Sequence, residues 1–203
     1  MMHETEWLKK TLLMLAVCIS ISACLQVFQQ YFIYWRFSFF AEPWRWWTGH
    51  WVHVGWIHFL LNILAFICLP FIFPMIRKRY LIFLLLVLPP CISFCFYFIY
   101  HAVQAYAGLS GVLHGLYVAC ALACLQLKKE RKFSILVLVL VFAKIAWENS
   151  FGSLQTATLI GSSVLVEAHL MGVIIGAFCT ALMLCIQKVY PKKIKNMMFV
   201  KLK

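Results

Sequence analysis

The sequence contains no aspartate, and its acidic residues are limited to six glutamates among 203 residues. Charged residues of both signs make up only 12% of the chain, whereas hydrophobic residues make up 65%. A typical soluble domain has about twice that share of charged residues, so the composition excludes an ordinary soluble domain. The absence of aspartate also excludes a catalytic triad of the Ser-His-Asp type.

Metal-binding patterns are missing as well. None of the nine cysteines has the Cys-x-x-Cys spacing, and their apolar surroundings favour a packing role. His50, His53, His58 and Asn62 include metal-ligand types, but no acid or cysteine completes a ligand set, and no His-Glu-x-x-His motif is present. We therefore expect neither a metal nor another cofactor.

Long apolar stretches are abundant. Six of them reach or approach the length of about 20 residues that a membrane span requires. They are residues 11–34, 56–76, 80–100, 108–127, 133–147 and 159–186. The pattern predicts an all-α polytopic membrane protein with one domain, residues 1–203, built as a bundle of six transmembrane helices. Residues 21–24 (Ile-Ser-Ala-Cys) also resemble a lipoprotein cleavage site, so processing at Cys24 is an alternative for the first stretch.

The net charge of +12 is distributed unevenly. Lysines and arginines cluster before the first stretch, between the second and third, between the fourth and fifth, and after the sixth. The other loops contain only Arg36 and Arg45. This distribution follows the positive-inside rule and predicts that both termini are cytoplasmic. It explains the basic charge by membrane topology and lipids, so we expect no nucleic-acid partner.

The first outer loop is rich in tryptophan, with five of the eight tryptophans between positions 44 and 56. Tryptophan favours the membrane–water interface, where we expect this loop to lie. Glu42 and Arg45 are expected to pair within it, because a paired charge is less costly at that depth than an isolated one.

Ser110 begins the fourth stretch within the run Gly108-Leu109-Ser110-Gly111. Small neighbours allow a substrate carbonyl to approach a serine closely, as in hydrolases. The same pattern is common where transmembrane helices pack, so alone it favours packing over catalysis.

A histidine in the sixth stretch shares a helix face with two glycines. Gly172 and Gly176 form a Gly-x-x-x-Gly motif, which allows two helices to approach closely. His169 precedes Gly172 by three residues and therefore faces the same neighbouring helix.

Depth along the predicted spans brings four polar residues into one layer. Counted from the basic loops at a helical rise, Ser110, His169 and His58 lie about 27–28 Å up and Asn62 about 22 Å. Polar residues at such depth are costly and indicate function. A serine, a histidine and two hydrogen-bond donors at one depth match a serine hydrolase site. Because the chain has no aspartate, the histidine must work in a Ser-His dyad or be oriented by another group.

These motifs together resemble the rhomboid intramembrane serine proteases. The resemblance covers all six stretches and rests on Glu42-Pro43-Trp44-Arg45, His53-x4-His58-x3-Asn62, Gly108-x-Ser110-Gly111 and Ala168-His169-x2-Gly172-x3-Gly176. The small size, the run Gly-Leu-Ser-Gly-Val-Leu-His-Gly and the Trp-Glu pair at 147–148 are most similar to the rhombosortase branch. The resemblance implies a bacterial inner-membrane protease that cleaves membrane-anchored proteins, in that branch near a C-terminal Gly-Gly anchor.

The resemblance also assigns roles by position. Ser110 would be the nucleophile and His169 the general base, with His58, Asn62 and the Ser110 backbone N–H as the oxyanion hole. Gly108, Gly111, Arg45 and Glu42 would support this site. His114 stands one turn below Ser110, where many rhomboids have an aromatic residue on the catalytic imidazole. We prefer His169 as the base over His114, because a neighbour on the serine's own helix cannot readily reach across the attack face.

Two other functions compete with proteolysis. A non-catalytic rhomboid-like protein that binds transmembrane helices usually lacks the serine or the histidine, and both are present here. A transporter or haem protein is disfavoured because no histidine pair spans two mid-membrane faces. For the protease, we expect His50, His53 and His101 to line a path for water.

Lys144 and Glu148 are separated by one helical turn near the outer end of the fifth stretch. The simpler interpretation is an ion pair on the helix surface. In the alternative, Lys144 faces the bundle and binds an anionic group of the substrate or a lipid, with Glu148 holding it in place.

Overall fold

The computed structural model describes residues 2–152 and 164–200, which are mostly helical. Its α-helices are α1 Met2–Val27, α2 Arg45–Thr48, α3 Trp56–Ile72, α4 Lys78–Phe98, α5 Ser110–Cys124, α6 Arg131–Phe151, α7 Val166–Val189 and α8 Pro191–Met198. Two short strands, β1 Tyr34–Trp35 and β2 Ala105–Tyr106, pair antiparallel, with Tyr34 opposite Tyr106. Short 3₁₀ turns cover Gln29–Tyr31 and Arg36–Ser38.

Within the described residues, four helices are long and apolar enough to cross a membrane. They are Thr5–Val27 within α1, then α4, α6 and α7. The helices α3 and α5 are apolar but shorter, with 17 and 15 residues. The chain is therefore a multi-pass membrane protein. At 1.5 Å per residue α5 measures only about 22 Å, less than the thickness of the hydrocarbon core.

Several predicted spans have different ends in the structure. The first was predicted to reach residue 34, but α1 ends at Val27, and the apolar residues after it enter a 3₁₀ turn and β1. Hydrophobicity alone cannot separate these conformations, because a short apolar run is compatible with a helix, a turn or a strand. The fifth was predicted over 133–147, yet α6 continues through the polar residues to Phe151. The start of the sixth, residues 159–163, lies outside the described residues.

Helices α5 and α7 approach each other through glycine. A Cβ atom on Gly172 would lie 1.8 Å from the Gly111 carbonyl oxygen, and one on Gly176 would lie 2.3 Å from that of Gly115. No side chain fits between backbones at these separations, so the predicted role of Gly172 and Gly176 in helix packing agrees with the structure. Because α5 is also covered by α3, α4 and α6, most of its side chains are buried.

The segment from Arg36 to Gly55, here termed the tryptophan loop, packs against the bundle. The predicted pair forms within it, since Arg45 donates hydrogen bonds to both carboxylate oxygens of Glu42, at 2.8 and 3.2 Å. This hydrogen bond holds the pKa of Glu42 below its usual value. Arg45 also donates to the Ile33 carbonyl, and the Trp47 indole donates to the Leu86 carbonyl of α4. The loop is thus tied to the residue before β1 and to α4.

Candidate active site

The side chains of Ser110 and His169 are hydrogen-bonded although 59 positions separate them. Ser110 is the first residue of α5 and His169 lies in the first turn of α7. The Ser110 Oγ lies 2.9 Å from Nε2 of His169. The glycine contact sets this distance, because a Cβ atom on Gly111 would lie only 2.7 Å from the Ala168 carbonyl oxygen.

The other ring nitrogen of His169 contacts an acidic side chain. Nδ1 lies 2.8 Å from Oε2 of Glu148 on α6. An ionised carboxylate only accepts hydrogen bonds, so Nδ1 carries the proton and donates it. Nε2 is then left with its lone pair, which accepts a hydrogen bond from the Ser110 hydroxyl.

Glu148 is held from a second direction by Lys144, whose Nζ contacts the other carboxylate oxygen. Glu148 is only 2% exposed, whereas the Lys144 side chain is 35% exposed. The interpretation of the two as an ion pair on the helix surface is therefore wrong for Glu148. Sequence reasoning missed the contact between Glu148 and His169. The absence of aspartate was a usable signal, because it leaves only a glutamate as an acidic partner for a buried histidine.

His114 stacks on His169, with ring centroids 4.1 Å apart and planes inclined by 20°. Its Nδ1–H donates to the Ser110 carbonyl oxygen at 2.7 Å, so this bond goes to the backbone of Ser110. Ligand atoms of His114, Glu148 and His169 all lie within 4.8 Å of one another, a spacing compatible with a metal ion. In stacked rings, however, the nitrogen lone pairs lie in parallel planes and do not point at one common ion. In addition, both nitrogens of His169 already have protein partners.

Gly108 allows His58 to reach the backbone next to Ser110. Its φ of 152° lies in a region that favours glycine. A Cβ atom there would lie 2.9 Å from Cε1 and 3.4 Å from Nε2 of the His58 ring. Asn62, one turn further along α3, donates one amide hydrogen to the His58 carbonyl at 3.0 Å. Ser110 begins α5, and the first N–H groups of a helix lack acceptors within it.

His50 and His53 are fully buried, so the prediction that they line a path for water is wrong. His50 Nε2 contacts the Ser93 hydroxyl at 3.0 Å, and His53 Nε2 accepts from the Leu109 N–H at 3.4 Å. Burial lowers the pKa of each histidine to about 3, with the charge of His58 adding to the shift at His53. Both rings are thus structural links, and His53 ties the tryptophan loop to the residue before Ser110.

The sequence profile of the Rhomboid domain matches residues 40–186, well over half of the chain. The chain belongs to the rhomboid family. Proteins of this family are generally intramembrane serine proteases that act on transmembrane substrates. Comparison with individual characterised proteins gives no match. The matched part of the rhomboid includes residues 40–55 of the tryptophan loop and the Ser110–His169 contact.

A cavity of about 220 Å³ opens beside Ser110 in this rhomboid. Its lining comes from α3, α5 and α6 and comprises Asn62, Ala65, Ser110, Leu113, His114, Tyr117 and Val141. The cavity is mainly apolar and exposes the serine to a space between helices. The structure thus brings Ser110, His169, His114, His58 and Asn62 together, whereas Glu42 and Arg45 lie in the tryptophan loop and stabilise its conformation.

Proposed function

We propose that this rhomboid is an intramembrane serine endopeptidase with Ser110 as the nucleophile and His169 as the general base. The observation that carries the proposal is the 2.9 Å contact between Ser110 Oγ and Nε2 of His169, the ring nitrogen that is left unprotonated when Nδ1 donates to Glu148. Neutral imidazole at hydrogen-bond distance from a hydroxyl is the arrangement that activates serine for attack.

The reaction follows from this geometry. Ser110 Oγ attacks the peptide carbonyl carbon while Nε2 of His169 takes the hydroxyl proton. The imidazolium then gives that proton to the leaving amine as the peptide C–N bond breaks, which leaves an acyl-enzyme. Water attacks the ester in the second half, and His169 again accepts and returns a proton.

The negative oxygen of each tetrahedral intermediate needs fixed donors. The Ser110 backbone N–H, the free amide hydrogen of Asn62 and the His58 ring are the groups that we assign to this oxyanion hole. Gly108 serves the hole by leaving space for the His58 ring.

The substrate in this proposal is a membrane-anchored protein whose cleavage segment enters the cavity between α3, α5 and α6. A C-terminal Gly-Gly anchor, as in the rhombosortase branch, suits this cavity because glycine carries no side chain to place in it. The proposal includes six spans (α1, α3, α4, α5, α6 and α7), a bacterial inner membrane with its lipids, and both termini in the cytoplasm. The alternative is a rhomboid-like protein that binds transmembrane helices without cleaving them.

The test is cleavage of a tagged, single-span reporter with a C-terminal Gly-Gly anchor, co-expressed with the rhomboid, alongside labelling by a fluorophosphonate probe. Ser110→Ala and His169→Ala should each abolish cleavage and labelling at normal membrane levels. The double variant should be no worse than either single variant, because the two residues act as a unit. Ser134→Ala, at a buried serine on α6, is the matched control and should cleave and label normally. Cleavage at the wild-type rate by either active-site variant would contradict the proposal. If the wild-type protein binds the reporter but does not cleave it, the result would favour a rhomboid-like protein that only binds transmembrane helices.

A further inference from the structure

We infer that Glu148 is a positioning residue for His169, and that Lys144 is the counter-ion of Glu148. The site would then be a Ser-His-Glu array in place of a dyad. This inference rests on the proposed protease function.

The two hydrogen bonds of His169 lie at opposite ends of its ring. Glu148 Oε2 is 2.8 Å from Nδ1, and Ser110 Oγ is 2.9 Å from Nε2. An imidazole without an acceptor at Nδ1 divides its proton between the two nitrogens, and only one of these forms can activate a serine. The carboxylate selects that form and also restricts rotation of the ring.

His114 and Glu148 restrain different motions of the same imidazole. Stacking with a centroid separation of 4.1 Å limits tilting of the His169 ring but does not select a proton position. The Glu148 carboxylate lies at the ring edge and does select it. Stacking alone therefore does not make the glutamate redundant.

Lys144 accounts for the presence of a buried carboxylate in this apolar bundle. An isolated charge at such a position is costly, and a partner of opposite sign one helical turn away offsets that cost. Lys144 Nζ contacts Glu148 Oε1 and lies 3.5 Å from His169 Nδ1, on the side of the ring away from Ser110. Since Nδ1 already donates to Glu148, Lys144 acts on the histidine through the carboxylate.

The decisive variant is Glu148→Gln, which keeps the side-chain shape but removes the charge. Its amide can donate to Nδ1, which favours the ring form whose Nε2 is protonated and cannot accept the serine proton. In soluble serine proteases the equivalent change lowers kcat about 10⁴-fold. We expect kcat for reporter cleavage to fall at least about 100-fold, with KM changed less than about threefold. Glu148→Asp retains a carboxylate and should recover at least about tenfold over the glutamine variant.

Controls separate positioning from folding. Glu130→Gln removes a glutamate before the other end of α6 and should retain wild-type kcat. Glu148→Gln combined with Lys144→Met removes both charges, so it leaves no unpaired ammonium and provides the measurement if the single variant is unstable. Lys144→Met alone preserves the contact between Glu148 and His169 and should lower kcat less than Glu148→Gln does.

Three results would overturn the inference. They are a kcat for Glu148→Gln within about threefold of the wild type, no recovery in Glu148→Asp, or a larger loss in Lys144→Met than in Glu148→Gln. The last result would favour a direct role of Lys144 at the substrate. All three leave the proposed protease function intact, whereas a wild-type protein that neither cleaves the reporter nor labels at Ser110 contradicts the protease function itself.

Discussion

Three histidines of the described residues are buried, namely His50, His53 and His169. His50 and His53 each have an unpartnered Nδ1 and use only Nε2. His169 is hydrogen-bonded at both nitrogens, to an acceptor at one end and a hydroxyl at the other. The partners of the ring, and not its burial, therefore distinguish the candidate base from the two structural histidines.

The lowered pKa values of His50 and His53 predict that the protein loses stability in acid. Their pKa values of about 3 lie below the value of about 6.5 in an unfolded chain, so from pH 6.5 downwards only the unfolded chain takes up their protons. Lowering the pH from 7 to 5 should decrease the free energy of unfolding by roughly 2 kcal/mol for each of these histidines. His50→Gln retains a donor for Ser93 but does not titrate, and should lose less stability over this interval than the wild type.

The measurement is denaturant unfolding in detergent at the two pH values. His101→Gln, at an exposed position, is the control and should retain the wild-type difference. Equal losses in His50→Gln and the wild type would show that His50 is not the acid-sensitive group.

The oxyanion assignment predicts losses in turnover. Removal of one oxyanion donor typically lowers the rate by about 10²–10³. Asn62→Ala and His58→Ala should each lower kcat by about this factor, with a smaller effect on KM, in the reporter assay. Asn149→Ala is a matched control, because Asn149 also donates to the carbonyl one turn earlier in its own helix but lies on α6. Wild-type turnover in both Asn62→Ala and His58→Ala would place the hole elsewhere.

At the scale of elements, the contact between α5 and α7 sets the geometry of the site. Gly111 and Gly115 on α5 face Gly172 and Gly176 on α7, with backbone against backbone. Both catalytic candidates lie in the first turns of these two helices, where chain ends would otherwise be free to separate. A small change in helix spacing is thus transmitted directly to the distance between Ser110 and His169.

Gly172→Ala should therefore disrupt both stability and activity. A methyl group at this position would lie 1.8 Å from the Gly111 carbonyl oxygen, so the helices must separate. Overpacking typically costs about 1–3 kcal/mol, and backbone on both sides leaves little room for relief. We expect a lower unfolding midpoint in detergent and fluorophosphonate labelling reduced at least about tenfold. Gly55→Ala is the control, because the added Cβ meets nothing within 4 Å and the variant should label normally. Normal labelling of Gly172→Ala would refute the close contact between the two helices.

At the scale of the whole molecule, the two ends of the bundle differ in charge. The start of α1, the turn between α3 and α4, and the chain after α8 meet at one end, where Arg77 N–H donates to the Met198 carbonyl. A cavity of about 720 Å³ at this end is lined by Glu6, Trp7, Lys10, Arg77, Lys78, Arg79 and Val200. The other end of the bundle contains the tryptophan loop, which leads into the start of α3, and Ser110, which begins α5. The basic end is the one expected in the cytoplasm.

Reporter fusions test this orientation. A reporter fused after Lys203 should be active in the cytoplasm, and one inserted near Phe40 should be active on the outer side. The expected physical cause is retention of the lysines and arginines on the cytoplasmic side. Fusions after Lys129, in the basic loop before α6, provide a second cytoplasmic point. A C-terminal reporter on the outer side, with the N-terminus in the cytoplasm, would require an odd number of spans and would contradict the proposed six-span topology.

The sequence alone determined the class of protein, the apolar helices and four residues of the candidate site. Hydrophobic length is a local property, and depth along a helix follows from a constant rise per residue. Counting positions therefore placed Ser110, His169, His58 and Asn62 at similar heights without knowledge of packing. The glycine spacing likewise indicated which face of α7 meets a neighbour.

Only the tertiary structure decided which side chains around Ser110 contact one another. Glu148 lies 21 positions before His169, and its contact with that ring depends on how α6 is rotated and tilted against α7. The burial of His50 and His53 depends on how the tryptophan loop folds onto α1 and α4. Rotation and loop docking are set by the sum of many packing contacts between segments distant in sequence, and no local pattern encodes that sum.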